Sequence, residues 1–380
     1  MVHEITIMKI LLAIDTPLSY SNAPSSRLIY IARSLKKKDF NIELLGRKGE
    51  KIANLKTATV TGGKNLARIK LLFLITKKML IENYNRVLIR GAYLAFFLLP
   101  LKIFHKKIII DFHDWMYREI KLYYGKTFYN KLKVAIYYLL EKIVIRFSDI
   151  IICPSKGVRR LLNKNEREKS IVMENGLDIQ ESEKVVSVAE KERKRTFERY
   201  ALPKNKLLLG FMGNWERQLE MEPIFNACEI AGINMVVVGE GSKIDLFREK
   251  WKNITFTGRL TRLEALKIIS VCDATIVPYK EDYTVPVGYF SQRKVKDYLG
   301  MGKPILMADV KGRERFLIPY DNAVFYRPSD VEDLAEKIKI IVSNQKLREK
   351  MRRNNLKLAR QFDWQVLIGK SELAKKLLEN

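Results

Sequence analysis

The sequence predicts an α/β protein made of two doubly wound parallel sheets. Short β-rich apolar runs alternate with longer amphipathic segments through most of the 380 residues, which is the pattern of β-α-β units. The alternation occurs in two series, one beginning at Lys9 and the other at Lys206. The length also fits two domains of about 150 residues each.

The first series predicts five short strands rich in Ile, Leu and Val. They are Lys9–Ile14, Asn41–Leu45, Arg86–Ile89, Lys107–Asp111 and Ile150–Ile152. Apolar residues at helical spacing predict helices between them, at Ser26–Lys36, Leu66–Glu82, Phe128–Arg146 and Lys156–Leu162.

The second series repeats this alternation. Its predicted strands are Leu207–Phe211, Asn234–Val238, Ile254–Thr257, Ala274–Val277 and Pro304–Met307. Its predicted helices are Glu222–Ala231, Lys243–Lys250, Leu263–Ser270, Gln292–Leu299 and Val331–Ser343. Ligands of such sheets bind at the carboxyl ends of the strands, so we expect two facing sheets to enclose a cleft that holds the chemistry.

The pattern predicts four segments. An amino-terminal domain at 1–180 is followed by a charge-dense stretch at 181–205, which reads as one exposed linker helix ending near Pro203. A carboxyl-terminal domain is expected at 206–355 and a final helical segment at 356–380.

Composition excludes several classes of protein. Hydrophobic residues make up 47% of the chain, enough for folded cores and too many for a disordered polyelectrolyte. Three distant cysteines do not form a zinc ribbon or a disulfide framework, and they fit a reducing cytoplasm. The longest uncharged apolar run, Gly91–Leu101, falls short of the ~20 residues that cross a bilayer.

The charge of the chain predicts an anionic partner. Lys and Arg number 70 and Asp and Glu 43, which leaves a net charge of +27. Basic and aromatic residues mix between Met116 and Arg146, which fits a bilayer interface, although the apolar side could equally be the core face of the first domain. Nucleic acid is not the expected partner, because the chain carries no known nucleic-acid-binding motif.

A candidate phosphate site lies where the strand ending at Pro278 leads to a helix. Ser291 opens that helix, and Gln292 and Lys294 lie in its first turn. Free N–H groups, a hydroxyl cap and basic side chains suit a diphosphate, and Asp297 on the same face suits a ribose diol. The alternative is a capped surface helix with a solvated Lys294–Asp297 ion pair.

The segment Ser291–Pro304, S-x-x-K-x-x-D-Y-L-x-x-G-K-P, resembles the signature of family 4 glycosyltransferases of the GT-B fold. Further similar segments follow the family order over nearly the whole chain, namely IIIDFHDW, SDIIICPSKGVRRLL with IVMENGLD, MVVVGEGS, and ITFTGRLTRLEALKIISVCDATIVPYK. The resemblance implies two Rossmann-like domains facing a cleft, with the final helix packed on the first domain.

The resemblance implies a donor site in the second domain. Asp297 stands where the family has a Glu that binds the ribose. The diphosphate is expected at Lys294 and at the backbone of Tyr289, Phe290, Ser291 and Gln292. Gly258 and Arg259 match the turn against the base, and Gly213 matches a glycine that faces the phosphates.

On the acceptor side, His113 matches a histidine that approaches the transferred sugar, and Asp111 ends the strand before it. With Lys294 and Arg217, His113 is expected to be catalytic. The first loop lines the acceptor cleft in the family. Its residues Ser25, Ser26 and Arg27 either contact an anionic acceptor or cap the following helix.

Two positions depart from the family. Tyr289 stands where the common subgroup has a Glu that touches the donor sugar, and an acidic stretch, Glu220–Glu222, replaces an expected Lys-Gly. They leave a second interpretation open, in which the chain is a non-catalytic nucleotide-binding or regulatory protein with this fold.

The resemblance implies transfer of a hexosyl group from a UDP- or GDP-type sugar to a lipid-linked or polysaccharide acceptor, with retention of configuration. No Asp-x-Asp pair occurs in the chain, so we expect fixed protein charges, not a metal, to stabilise the leaving diphosphate. We expect no cofactor. The expected location is the cytoplasm or the inner face of the membrane.

Overall fold

The computed structural model describes residues 8–112, 115–123, 127–204, 207–215, 219, 221–280, 292–311, 313 and 315–379. The chain divides into two compact units. The first comprises residues 1–174 and 364–380, and the second comprises residues 175–363.

The first unit contains a parallel sheet of seven strands in the order β3-β2-β1-β4-β5-β6-β7. The strands are β1 Lys9–Pro17, β2 Asn41–Arg47, β3 Lys56–Val60, β4 Arg86–Arg90, β5 Lys107–Asp111, β6 Ile150–Cys153 and β7 Ser170–Val172. Its first helices are α1 Ala23–Lys36, α2 Lys64–Leu80, α3 Ala92–Leu98, α4 Met116–Tyr123, α5 Phe128–Phe147, α6 Lys156–Arg160 and α7 Lys164–Glu168. The chain extends the sheet in one direction from β1 and in the other from β4, so these neighbours form the topological switch point.

The second unit contains a parallel sheet of six strands in the order β10-β9-β8-β11-β12-β13. The strands are β8 Leu208–Met212, β9 Asn234–Val238, β10 Ile254–Gly258, β11 Ala274–Val277, β12 Ile305–Ala308 and β13 Ala323–Tyr326. Its helices are α8 Ile179–Lys191, α9 Arg193–Arg199, α10 Glu222–Ile230, α11 Ile244–Lys250, α12 Arg262–Val271, α13 Arg293–Gly300, α14 Val331–Ser343 and α15 Gln345–Ala359. Here the switch point lies between β8 and β11.

The sequence 181–205 differs from the expected exposed linker helix. It contains most of α8 and all of α9, and both helices belong to the second unit. Val185, Ala189 and Phe197 are buried in that unit's core, which is why the segment does not stand free as a spacer. The chain passes between the units near residues 174 and 363 instead.

The carboxyl-terminal helices α16, Trp364–Lys370, and α17, Leu373–Leu378, belong to the first unit. Trp364 stacks on Tyr30 of α1 with 5.9 Å between the ring centroids. The amide nitrogen Nε2 of Gln365 donates to Oγ of Ser34 at 2.8 Å. Ile368, Leu373 and Leu377 complete the attachment because they are buried in the first unit's core.

A buried carboxylate joins two strands and a helix of the first unit. Glu43 of β2 accepts a hydrogen bond from the hydroxyl of Tyr84 at 2.6 Å and ion pairs from Lys78 at 3.0 Å and Lys56 at 3.1 Å. Burial raises the pKa of Glu43, but the hydrogen bonds from the tyrosine and the two lysines outweigh it and hold the pKa below the ordinary 4.5. The ionised carboxylate is therefore part of the folded state.

The pKa of Glu43 is lower in the folded state than in the unfolded state. Its contribution to the free energy of unfolding is therefore fully present above the unfolded-state pKa, and it is lost as the pH falls through the folded-state pKa. Glu43→Gln should lower the free energy of unfolding by about 1–3 kcal/mol at pH 7 and by progressively less as the pH falls below about 4.5. Urea unfolding across this pH range measures the difference. Glu82→Gln is the matched control, because Glu82 pairs with the same Lys78 at 2.9 Å but is 39% exposed. A constant Glu43→Gln deficit at every pH would contradict the prediction.

Candidate functional site

Three glycines lie at the carboxyl ends of the neighbouring strands β8, β9 and β10 of the second sheet. Gly213, Gly239 and Gly258 have φ angles of 134°, 139° and 71°, which side chains of L residues rarely adopt. The amide of Gly239 donates to the carbonyl of Gly258 at 3.0 Å, and a Cβ on Gly239 would lie 2.3 Å from the carbonyl oxygen of Gly213. The turn at Gly239 can approach the turn at Gly213 this closely only because Gly239 has no side chain.

Lys294 extends to this glycine edge. Its Nζ lies 4.5 Å from the ring centroid of Phe211 on β8, and a Cβ built on Gly213 would lie 3.0 Å from that Nζ. The structure thus brings together two residues that the sequence assigned to the donor phosphates. A cation against open backbone at the end of a parallel strand is suited to an anionic group.

Helix α13 is tied to the same strand. The hydroxyl of Tyr298 accepts a hydrogen bond from the backbone amide of Met212 at 2.9 Å, directly before Gly213. The helix begins at Arg293, with Gln292 at the N-cap position and no side-chain cap. The first turn of α13 therefore lies beside the carboxyl end of β8.

Asp297 is held in a buried network. Its carboxylate accepts two hydrogen bonds from the guanidinium of Arg262, at 2.8 and 3.0 Å, and the side chain is only 2% exposed. Arg262 also donates to Glu181 of α8 at 2.9 and 3.1 Å. The residue expected to bind the ribose thus already has a charged partner within its own unit. Its role toward ribose stays a prediction.

Arg262 is the member of this site that the sequence interpretation missed. It is the first residue of α12, where a positive charge opposes the helix dipole. The same signal drew attention to Lys294, so it could have identified Arg262 as well. Arg259, the other arginine in this turn and an expected donor-site residue, is exposed.

In the first unit the expected acceptor residues have partners within the protein. Nε of Arg27 donates to Asp111 at 3.0 and 3.2 Å, and both residues are 2% exposed. Ser25 and Ser26 are fully buried, and Oγ of Ser26 donates to the carbonyl of Ala23 at 3.0 Å.

The helix cap also differs from the expected one. Asn22, and neither of the two serines, caps α1, because its side chain accepts from the amide of Ser25. The prediction that Ser25, Ser26 or Arg27 caps this helix is therefore wrong, and their contact with an acceptor stays a prediction. His113, Arg217, Tyr289, Phe290 and Ser291 lie outside the described residues.

The cysteines do not supply a nucleophile. Burial raises the pKa of the Cys153 and Cys272 thiols to about 12 and raises that of Cys228 as well, so all three are protonated at neutral pH. Within the described ranges, no group of three His, Cys, Asp or Glu residues could hold a metal ion.

Arg262→Ala should lower the free energy of unfolding by about 3–5 kcal/mol, because it leaves the buried Asp297 carboxylate without its bidentate partner. Chemical denaturation monitored by circular dichroism measures the loss. Arg199→Ala is the matched control. Arg199 pairs with Glu264 at 2.9 Å but is 61% exposed, so its removal should cost under about 1 kcal/mol. Equal losses in both variants would show that the buried pair does not fix α13.

Comparisons with known families agree with this architecture. The family model for Glycosyltransferase Family 4 matches residues 25–181, and the model for Glycosyl transferases group 1 matches residues 192–358. An uncharacterized glycosyltransferase of Methanocaldococcus jannaschii is 23% identical over 226 residues, which is 58% of this chain and 57% of that relative. The chain thus matches little more than half of that relative's length.

Two solved structures share the fold of the chain. Anabaena HepE in complex with UDP-glucose has 15% identity and a TM-score of 0.71 over 97% of this chain and 99% of that one. A glycosyltransferase from Rickettsia africae has 16% identity and a TM-score of 0.73 over 99% of this chain and all of the other. The two family models together match most of the sequence, and the solved structures share its fold over nearly the whole chain. The chain therefore belongs to the family 4-like, group 1 glycosyltransferases with two Rossmann-like domains of the GT-B type.

Proposed function

We propose that the protein transfers a hexosyl group from a nucleotide-diphosphate sugar to a lipid-linked or polysaccharide acceptor, with retention of configuration and without a metal. The position of Lys294 beside Gly213 carries this proposal. It puts a cation at the carboxyl edge where a doubly wound sheet binds ligands. The UDP-glucose in the related HepE structure favours UDP as the nucleotide.

The proposed reaction breaks the bond between the anomeric carbon and the diphosphate and forms a bond from that carbon to an acceptor hydroxyl. Negative charge grows on the departing diphosphate, and Lys294 stabilises it from a fixed position. The acceptor proton passes to a phosphate oxygen of the leaving group, so the step requires no enzyme base. His113 and Arg217 are proposed to position the sugar and the phosphates.

The acceptor class is inferred from an exposed face of α5. Phe128, Leu132, Ile136 and Leu139 follow one another at helical spacing, and each is at least 48% exposed. Basic residues flank this stripe, namely Lys131, Lys133, Lys142 and Arg146. Helices α2 and α5 both pack on α3. Further exposed apolar residues lie on α2, and they include Ile69 and Phe73.

An apolar stripe bordered by cations matches an anionic lipid surface, because the aliphatic side chains enter the headgroup boundary while the cations meet phosphates. None of the described helices is both long enough and apolar enough to span a bilayer. We therefore propose that the first unit attaches peripherally to the membrane that carries the acceptor, at its inner face.

Lys294→Ala should weaken UDP binding by about 10- to 100-fold, the effect of losing one charge-assisted contact to a phosphate, without changing the unfolding temperature. Isothermal titration with UDP and UDP-glucose measures the affinity. Lys250→Ala is the matched control, since Lys250 also covers an aromatic ring, at 4.2 Å from the centroid of Trp251, but at the end of α11. Unchanged affinity in Lys294→Ala would contradict the site. UDP binding with neither transfer nor hydrolysis of any nucleotide sugar would support the non-catalytic interpretation.

The double variant Leu132→Glu with Leu139→Glu should lose binding to vesicles by at least about tenfold, because two apolar side chains leave the interface and two like charges approach the lipid. Flotation with phosphatidylglycerol-containing vesicles measures the bound fraction, with phosphatidylcholine vesicles as the neutral reference. Leu246→Glu on α11 is the control, because Leu246 is 62% exposed but belongs to the second unit. Equal flotation of all three proteins would overturn the proposed membrane face.

A further inference from the structure

The first sheet has its own switch point, where β1 and β4 lie side by side. Their register pairs Ile14 with Arg90, the last residue of β4. In doubly wound sheets the crevice for a ligand opens at the carboxyl ends of the two strands that flank this point. Arg90 therefore lies where a ligand of the first unit is expected, although the sequence interpretation assigned it no role.

At this edge two arginines share one carboxylate. Asp111, at the end of β5, pairs with Arg27 at 3.0 Å and also accepts a hydrogen bond from Nη1 of Arg90. Arg27 directs its Nη1 to the carbonyl of Glu174 at 2.9 Å and its Nη2 to that of Met173 at 2.8 Å. Asp111 is thus the shared acceptor of Arg27 and Arg90 at this edge of the sheet.

Arg90 has guanidinium N–H groups that donate to no described residue. Its side chain is more than nine-tenths buried, yet the hydrogen bond to Asp111 is the one it makes among the described residues. Nε and Nη2 donate to none of these residues. They form one edge of the guanidinium, with two parallel N–H groups at the spacing of two oxygens of a phosphate.

The neighbouring strand does not neutralise Arg90. Asp15, which follows Ile14 on β1, is already paired with Arg68, whose Nη2 lies 2.6 Å from its Oδ2. Gly91 follows Arg90 with a φ of 117°, and a Cβ built there would meet no atom within 4 Å. Two N–H donors of Arg90 that meet no acceptor among the described residues and open space at Gly91 therefore occur together at the switch point.

We propose that Arg90 binds a phosphate group of the acceptor through Nε and Nη2. This inference rests on the proposed function and deepens it, because it assigns the acceptor to the phosphate-bearing glycans or phospholipids. Asp111 holds the arginine in place, and Arg27 in turn holds Asp111.

The test measures binding of inorganic phosphate to the full chain by isothermal titration with UDP present at saturation, so that the second unit's site is already filled. Wild type should bind phosphate, and Arg90→Met should bind it at least about tenfold more weakly, as expected for a lost bidentate contact. Arg86→Met is the matched control, because Arg86 begins the same strand and is equally buried, but lies at the opposite edge of the sheet. It should bind phosphate as wild type does.

Arg90→Lys guards against misfolding, since it keeps the charge beside Asp111 and removes the two parallel N–H groups. It should fold and still bind phosphate more weakly than wild type. The proposal is overturned if wild type shows no phosphate binding, if Arg90→Met binds normally, if Arg86→Met loses as much, or if acetate binds as well as phosphate. If wild type did not bind UDP, that result would instead contradict the proposed function.

Discussion

The buried ion pair between Arg262 and Asp297 is the interaction on which the second unit's site depends. Asp297 lies on α13 three residues after Lys294, so the arginine that holds the carboxylate also fixes the lysine against Gly213. Tyr298 provides a second attachment through the amide of Met212. Helix α13 is thus tied to both α12 and β8. These two attachments hold Lys294 in position at the end of β8.

The first unit also ties two arginines to a buried carboxylate. In the second unit Asp297 pairs with Arg262 at 2.8 Å and lies 3.9 Å from Arg293. In the first unit Asp111 accepts from both Arg27 and Arg90. Buried charges are tolerated when they are paired, and Arg90 is held in this way at the edge where we place the acceptor phosphate.

The elements most accurately predicted were the central strands, because residues buried on both faces give continuous apolar runs. Strands β3, β7 and β13 were missed. They lie at sheet edges and are short, and β3 is mostly exposed, so their apolar signal is weak. The linker was misjudged for the opposite reason. Its many charges hide four buried core residues, namely Val185, Ala189, Phe197 and Leu202.

The sequence by itself determined the class of fold, the family and the presence of a basic helix start with Lys294, since these depend on local patterns and motif order. Only the tertiary structure decided which charged side chains form ion pairs with one another. Arg262 and Asp297 are 35 residues apart and Arg27 and Asp111 are 84 apart. Each pair forms because parallel strands end, and the helices after them begin, at one edge of the sheet. Spacing along the chain carries no record of such contacts.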